Sequence, residues 1–145
     1  MLNREKVLYL VIPCYNEIET LDSTSNILNG LMKDLINKKI ISSKSRVLYV
    51  NDGSKDDTWG YIKALNKRNK MFTGISLANN VGQQNALACG LLKVKDKCDI
   101  AISLDCDLQD DHNAIYEMIK KYNDGNDIVY GVRNDRRKDS FLKRT

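Results

Sequence analysis

Continuous apolar runs that end in polar or acidic residues, with helix-period stretches between them, predict an α/β fold. The expected form is a mainly parallel open sheet with helices on both faces. Residues 7–12 and 46–50 are apolar throughout or nearly so, as strands buried on both faces require. Each such run is followed by a segment with apolar residues three or four apart, which is the spacing of a crossover helix.

In chain order, residues 7–12 form the first strand pattern, and Pro13 stops it. Residues 16–39 place Ile18, Leu21, Ile27, Leu28, Leu31, Leu35 and Ile36 at helical spacing, with Asp22-Ser23-Thr24 leaving the helix start open. The second strand, 46–50, runs into the turn signal Asn51-Asp52-Gly53-Ser54. Asp57-Thr58 is a capping pair for a helix to about residue 69, with Trp59, Ile62 and Leu65 on one face. Residues 72–77 are a third, weaker strand, 79–82 a loop, and 83–93 a helix through Ala86, Leu87, Gly90 and Leu91. A fourth strand over 99–104 meets the acidic stretch 105–111, and Ile115, Met118, Ile119 and Tyr122 mark a helix over 113–123. A fifth strand is expected over 127–132.

Composition narrows the function classes. A chain of 145 residues with 42% hydrophobic and 29% charged residues is sized and composed for one soluble domain, expected over 1–145. No apolar run reaches the roughly 18–20 residues of a membrane span, and no small-residue cleavage site follows the N-terminal apolar stretch. A cytoplasmic setting is therefore expected. Cys14, Cys89, Cys98 and Cys106 lack paired metal spacing and are expected to be reduced, mostly buried thiols. His112 is the only histidine, which excludes a multi-histidine metal site. Residues 133–144 hold six basic and two acidic residues, so the whole formal excess of +4 lies there. Such a segment is either a solvated tail or a site for anionic groups. With Phe141 its only aromatic residue, nucleic acid is not the expected partner.

Ligands of open α/β sheets bind outside the carboxyl ends of the strands. Pro13 to Glu17, Asn51 to Ser54 and Asp105 to Asp107 follow three such ends, so polar groups converge on one rim. Asp105 and Asp107 would repel each other unless a cation or proton is shared, and a hard ion such as Mg²⁺ or Mn²⁺ suits two carboxylates. The plainer alternative has one Asp capping a helix and the other facing water. Asp52 is either a hydrogen-bond acceptor for a base or ribose or a turn-former beside Gly53. No glycine-rich dinucleotide or P-loop motif is present.

Val11-Ile12-Pro13-Cys14-Tyr15-Asn16-Glu17, Val50-Asn51-Asp52-Gly53-Ser54-Lys55-Asp56-Asp57-Thr58 and Asp105-Cys106-Asp107-Leu108-Gln109-Asp110 occur in that order. Together they resemble the hallmark blocks of family 2 glycosyltransferases, which have the GT-A nucleotide-sugar fold. Asn80-Val81-Gly82-Gln83-Gln84-Asn85-Ala86 resembles a fourth block. Dolichol-phosphate mannose synthases more often have a lysine after its glycine, and Gln84 is closer to the polyprenyl-phosphate (bactoprenol) glucosyltransferase branch. The segment 131–144 resembles that branch's basic segment.

The resemblance implies that Pro13, Tyr15 and Glu17 line the base and ribose pocket, with Asp52 bonding the uracil or ribose. It places Asp105, Asp107 and Gln109 on a Mg²⁺ or Mn²⁺ ion bridging the diphosphate, with Cys106 between the two acids. Arg133, Arg136, Ser140, Lys143 and Arg144 match positions near the donor diphosphate or acceptor phosphate. Asp110 or Asp111 is the candidate base if the acceptor is a hydroxyl. Two departures stand out: Asp111, His112 and Asn113 replace the usual two prolines and acid, and Cys106 replaces a frequent alanine. Members of the branch are longer and membrane-associated, so the chain is expected to be their N-terminal part. The implied activity is inverting transfer from a UDP-sugar, UDP-glucose by the branch, to a polyprenyl phosphate at the cytoplasmic membrane surface or to another cell-envelope glycan acceptor. A nucleotide-sugar binding domain without turnover is the alternative. A haloacid dehalogenase-type phosphotransferase fits less, because its D-x-D closes the first strand and here it closes the fourth.

Overall fold

The computed structural model describes residues 4–108 and 112–131. The chain divides into two compact units, Met1–Gln109 and Asp110–Thr145. The first holds β1 (Leu8–Cys14), α1 (Ile18–Asn37), β2 (Arg46–Asn51), α2 (Thr58–Arg68), β3 (Phe72–Ser76), α3 (Gln83–Val94) and β4 (Ile100–Ser103). The second holds α4 (Ala114–Asn123).

The sheet has four strands in the order β3-β2-β1-β4, and every pairing is parallel. The chain steps outward from β1 to β3, then crosses back to place β4 on the other side of β1. That reversal opens a crevice at the carboxyl end of β1, where ligands of doubly wound sheets bind.

The central strands β1 and β2 are covered on both faces, which is why their sequences are continuously apolar, whereas Ala101 and Ser103 leave one face of β4 exposed. On one face, α3 packs over Val11, Leu48 and Val50, joined by Ala86 and Val94 of its own. A Cβ on Gly90 would sit 2.5 Å from a Val11 methyl and 2.8 Å from a Val50 methyl, so only glycine lets this helix lie so close. On the other face, the buried Tyr49 ring stacks on Phe72 with centroids 6.0 Å apart, and its hydroxyl shares a hydrogen bond with Ser25 of α1 at 2.7 Å.

Several sequence expectations shift. The buried stripe of α1 is Leu21, Thr24, Ser25, Leu28, Met32 and Leu35, while Ile27 is exposed. Thr24 and Ser25 can be buried because each hydroxyl has a partner; that of Thr24 donates to the Cys106 carbonyl at 2.6 Å. Asp57 occupies the N-cap of α2 but makes no side-chain cap bond; Asp56 does that work instead. The fifth strand does not form over the described residues 127–131. Ile128 and Tyr130 are 72% and 82% exposed, and β-propensity without a paired neighbour does not hold a strand. Among the described residues no helix is long and apolar enough to cross a membrane.

Candidate functional site

The loop after β1 and the loop after β2 are stitched into one structure. Asn16, left-handed at φ 52°, accepts the Lys55 N–H on its side-chain oxygen at 2.8 Å, and its own N–H donates to the Ser54 hydroxyl at 3.0 Å. The Glu17 N–H donates to the Thr58 hydroxyl at 3.0 Å. Asp56 accepts the N–H groups of Ile18 and Thr58 and the Thr58 hydroxyl, so one carboxylate serves the first turns of α1 and α2. Burial pushes the Asp56 carboxyl up, but those hydrogen bonds outweigh it and hold the group below its ordinary range.

A depressed folded value means that the stabilisation is present above the unfolded value and is lost as pH falls through the folded one. Replacing Asp56 with alanine is expected to cost about 1–2 kcal/mol at neutral pH, as lost caps do. Urea titrations should show that gap closing below the ordinary Asp value of about 3.9.

Asp52 closes a second connection. It is 2% exposed, and its two carboxylate oxygens accept the N–H groups of Val81 at 2.7 Å and Gly82 at 3.1 Å. The neighbouring Gly53 has φ +65°, and a Cβ there would sit 2.5 Å from the Asn80 nitrogen. The loop before α3 thus rests on the end of β2. From that loop, Gln83 reaches the end of β4, its Nε2 donating to Asp105 Oδ1 at 2.9 Å. The turn that carries the acidic residues includes Leu108 at φ 50°. A leucine in the left-handed region is strained, and such strain gathers at functional sites.

These elements enclose a pocket of about 420 Å³ lined by Pro13, Cys14, Tyr15, Glu17, Asp52, Asn80, Gly82, Gln83, Asp105, Cys106 and Asp107. Pro13, Tyr15, Glu17, Asp52, Asp105, Cys106 and Asp107, singled out in the sequence, therefore share one cavity. Tyr15 keeps 41% of its surface exposed, leaving an aromatic face at the rim. Gln109, Asp110, Asp111, Arg133, Arg136, Ser140, Lys143 and Arg144 lie outside the described residues. Asn80, Gly82 and Gln83 belong to the fourth resembling block, which carries no individual site roles in the sequence reading. That block, and its place after the third strand on the same rim, are the available signals.

The donor set suits a hard divalent ion. Asp105 and Asp107 offer oxygens to one cavity, and Mg²⁺ or Mn²⁺ is commonly held by one or two carboxylates together with substrate phosphates and water. Among the described residues no group of three or more acidic, cysteine or histidine side chains forms a self-sufficient cage. The Cys14 sulfur does not compete. Cys14 donates to Cys106 across 3.4 Å, and this hydrogen bond together with burial pushes the Cys14 thiol far up, so it stays protonated. All four cysteines are free thiols, two buried and two half-buried.

The model of the family described as "Glycosyl transferase family 2" matches residues 9–145. The chain is 48% identical over 145 residues to an uncharacterized glycosyltransferase, YkoT, of Bacillus subtilis (strain 168), covering 100% of this chain and 43% of that protein. It is 33% identical over 135 residues to a prophage bactoprenol glucosyl transferase homolog of Escherichia coli (strain K12), covering 93% of this chain and 42% of that one. The chain thus spans about two fifths of the length of these relatives. Among solved structures, the mannosyltransferase PcManGT of Pyrobaculum calidifontis, in complex with GDP-Man and Mn²⁺, aligns with a TM-score of 0.63 at 18% identity. That alignment covers 81% of this chain and 32% of the mannosyltransferase. TarS of S. aureus aligns with a TM-score of 0.53 at 19% identity, over 70% of this chain and 16% of TarS. These likenesses show the GT-A fold. With its family model matched from residue 9 to the last residue, the chain belongs to glycosyl transferase family 2.

Proposed function

We propose that the protein carrying this chain transfers a sugar, with inversion, from a UDP-sugar to a polyprenyl phosphate at the cytoplasmic membrane surface, with UDP-glucose as donor. The observation that carries the reading is the meeting of three strand-end blocks in one pocket, with two carboxylates at one side and Tyr15 at the rim. The bactoprenol glucosyl transferase relatives support the acceptor class, and the Mn²⁺ in the mannosyltransferase complex supports a divalent ion.

In this reading Pro13, Tyr15 and Glu17 flank the base and ribose. Asp52 fixes the loop wall and keeps lone pairs for the nucleotide, since a carboxylate offers about four acceptor sites and two are used here. Asp105, Asp107 and Gln109 would hold Mg²⁺ or Mn²⁺, which when bound offsets charge on the departing diphosphate. Arg133 and Arg136 would supply further positive charge, and Ser140, Lys143 and Arg144 would serve as phosphate-binding groups. An acceptor phosphate is already anionic and attacks the anomeric carbon from the face opposite the diphosphate without a strong general base. Asp110 or Asp111 takes that proton where the acceptor is a hydroxyl. Residues 1–145 act as the nucleotide-sugar-binding part of the longer protein.

The direct test is transfer of labelled glucose from UDP-glucose to undecaprenyl phosphate by the full-length protein in vesicles. Label in the lipid supports the proposal, and its absence with a folded protein contradicts it. In the same assay Arg133→Ala and Arg136→Ala are expected to lower the transfer rate at least tenfold. Lys138→Ala should change it little, because a guanidinium fork holds phosphate by two bonds and an ammonium does not. Equal, salt-relieved effects of all three would leave only a solvated basic tail.

A further inference from the structure

Gln83 begins α3, and its side chain spans to the end of β4 while doing little for the helix it belongs to. The start of α3 is fixed without it: Asp52 holds the N–H groups of Val81 and Gly82, and Asn85 donates to the Val81 carbonyl at 2.8 Å. What the Gln83 carboxamide holds is the Asp105 carboxylate, at 2.9 Å, on the wall of the same pocket.

We propose that Gln83 is a positioning residue that presents Asp105 to a divalent cation and, being neutral, leaves the charge of the acidic pair for that cation to offset. The inference rests on the nucleotide-sugar reading above and adds to it the residue that tunes metal dependence. One amide bond restricts the Asp105 rotamer and occupies one acceptor site of about four, leaving the rest for the ion. Partners of this kind orient metal ligands, and losing one typically costs 10–100-fold in metal affinity. A lysine at this position, reaching the same oxygen, would instead neutralise part of the pair and compete with the ion.

The test is Mn²⁺ binding in the presence of UDP, and again of GDP, followed by the electron paramagnetic resonance signal of free Mn²⁺. Gln83→Met keeps the length and helix propensity and removes the donor. It is expected to weaken Mn²⁺ binding about tenfold with the ligand-free melting temperature unchanged. Gln83→Lys should weaken it at least as much while raising nucleotide binding in EDTA. A Met variant within twofold of wild type overturns the proposal. So does a loss accompanied by an equal fall in ligand-free stability, the mark of a purely structural role. If wild type binds Mn²⁺ with neither nucleotide, the nucleotide-sugar reading fails and this inference with it. If wild type binds and Asp105→Asn does not, the reading stands and the Gln83 variants alone decide.

Discussion

Replacing Asp107 with asparagine is expected to remove most of the stabilisation that UDP and Mn²⁺ confer together, while the ligand-free protein stays folded. Ligand at about 100 times its dissociation constant adds about 2.7 kcal/mol to a folded protein. If Asp105 and Asp107 hold a divalent ion on which UDP binding depends, nearly all of that increment depends on both carboxylates. Asp107 is exposed, so its amide leaves the core untouched. Thermal unfolding with UDP in Mn²⁺ and in EDTA reads the increment directly. An increment unchanged by the substitution would remove the acidic pair from the site.

The second large effect is expected at Asp52. Its carboxylate is buried and accepts two backbone N–H groups of the loop before α3. Asparagine has the same shape but only one acceptor oxygen, so its NH₂ must face one of those N–H groups. Hydrogen bonds to a charged group contribute about 1.5–3 kcal/mol each, and Asp52→Asn is therefore expected to cost about 2–3 kcal/mol in urea titrations. Amide exchange at Val81 and Gly82 should accelerate more than exchange in β1 or β2. A substitution that is neutral in stability and leaves these amides protected would mean that the loop holds itself.

Much of this fold is legible in the sequence because burial on both faces leaves a plain signal. The runs ending at Pro13 and Asn51 cannot be half-exposed strands, and parallel strands need crossovers, so the layered order follows. The stripe of α1 was harder. Thr24 and Ser25 look polar until Tyr49 and the Cys106 carbonyl are known to lie opposite them. The pattern over 127–132 misleads in the other direction. Apolar β-formers suggest a strand, but pairing is a long-range event, and none pairs with the described residues there.

The candidate site divides along the same line. The strand-end rule brings Pro13, Tyr15, Asp52, Asp105 and Asp107 to one rim from sequence alone. The hold of Asp52 on the backbone of Val81, and of Gln83 on Asp105, joins residues 29 and 22 positions apart. Neither bond has a local signature, because backbone N–H groups are the same in every loop and a glutamine at a helix start is ordinary.

The pocket is proposed to bind a uridine diphosphate through a divalent ion. Titration calorimetry of UDP and of GDP into the full-length protein, each with Mn²⁺ and with EDTA, decides the matter. The expected result is UDP binding that needs Mn²⁺ and exceeds that of GDP. Tighter binding of GDP, or UDP binding indifferent to EDTA, would contradict it.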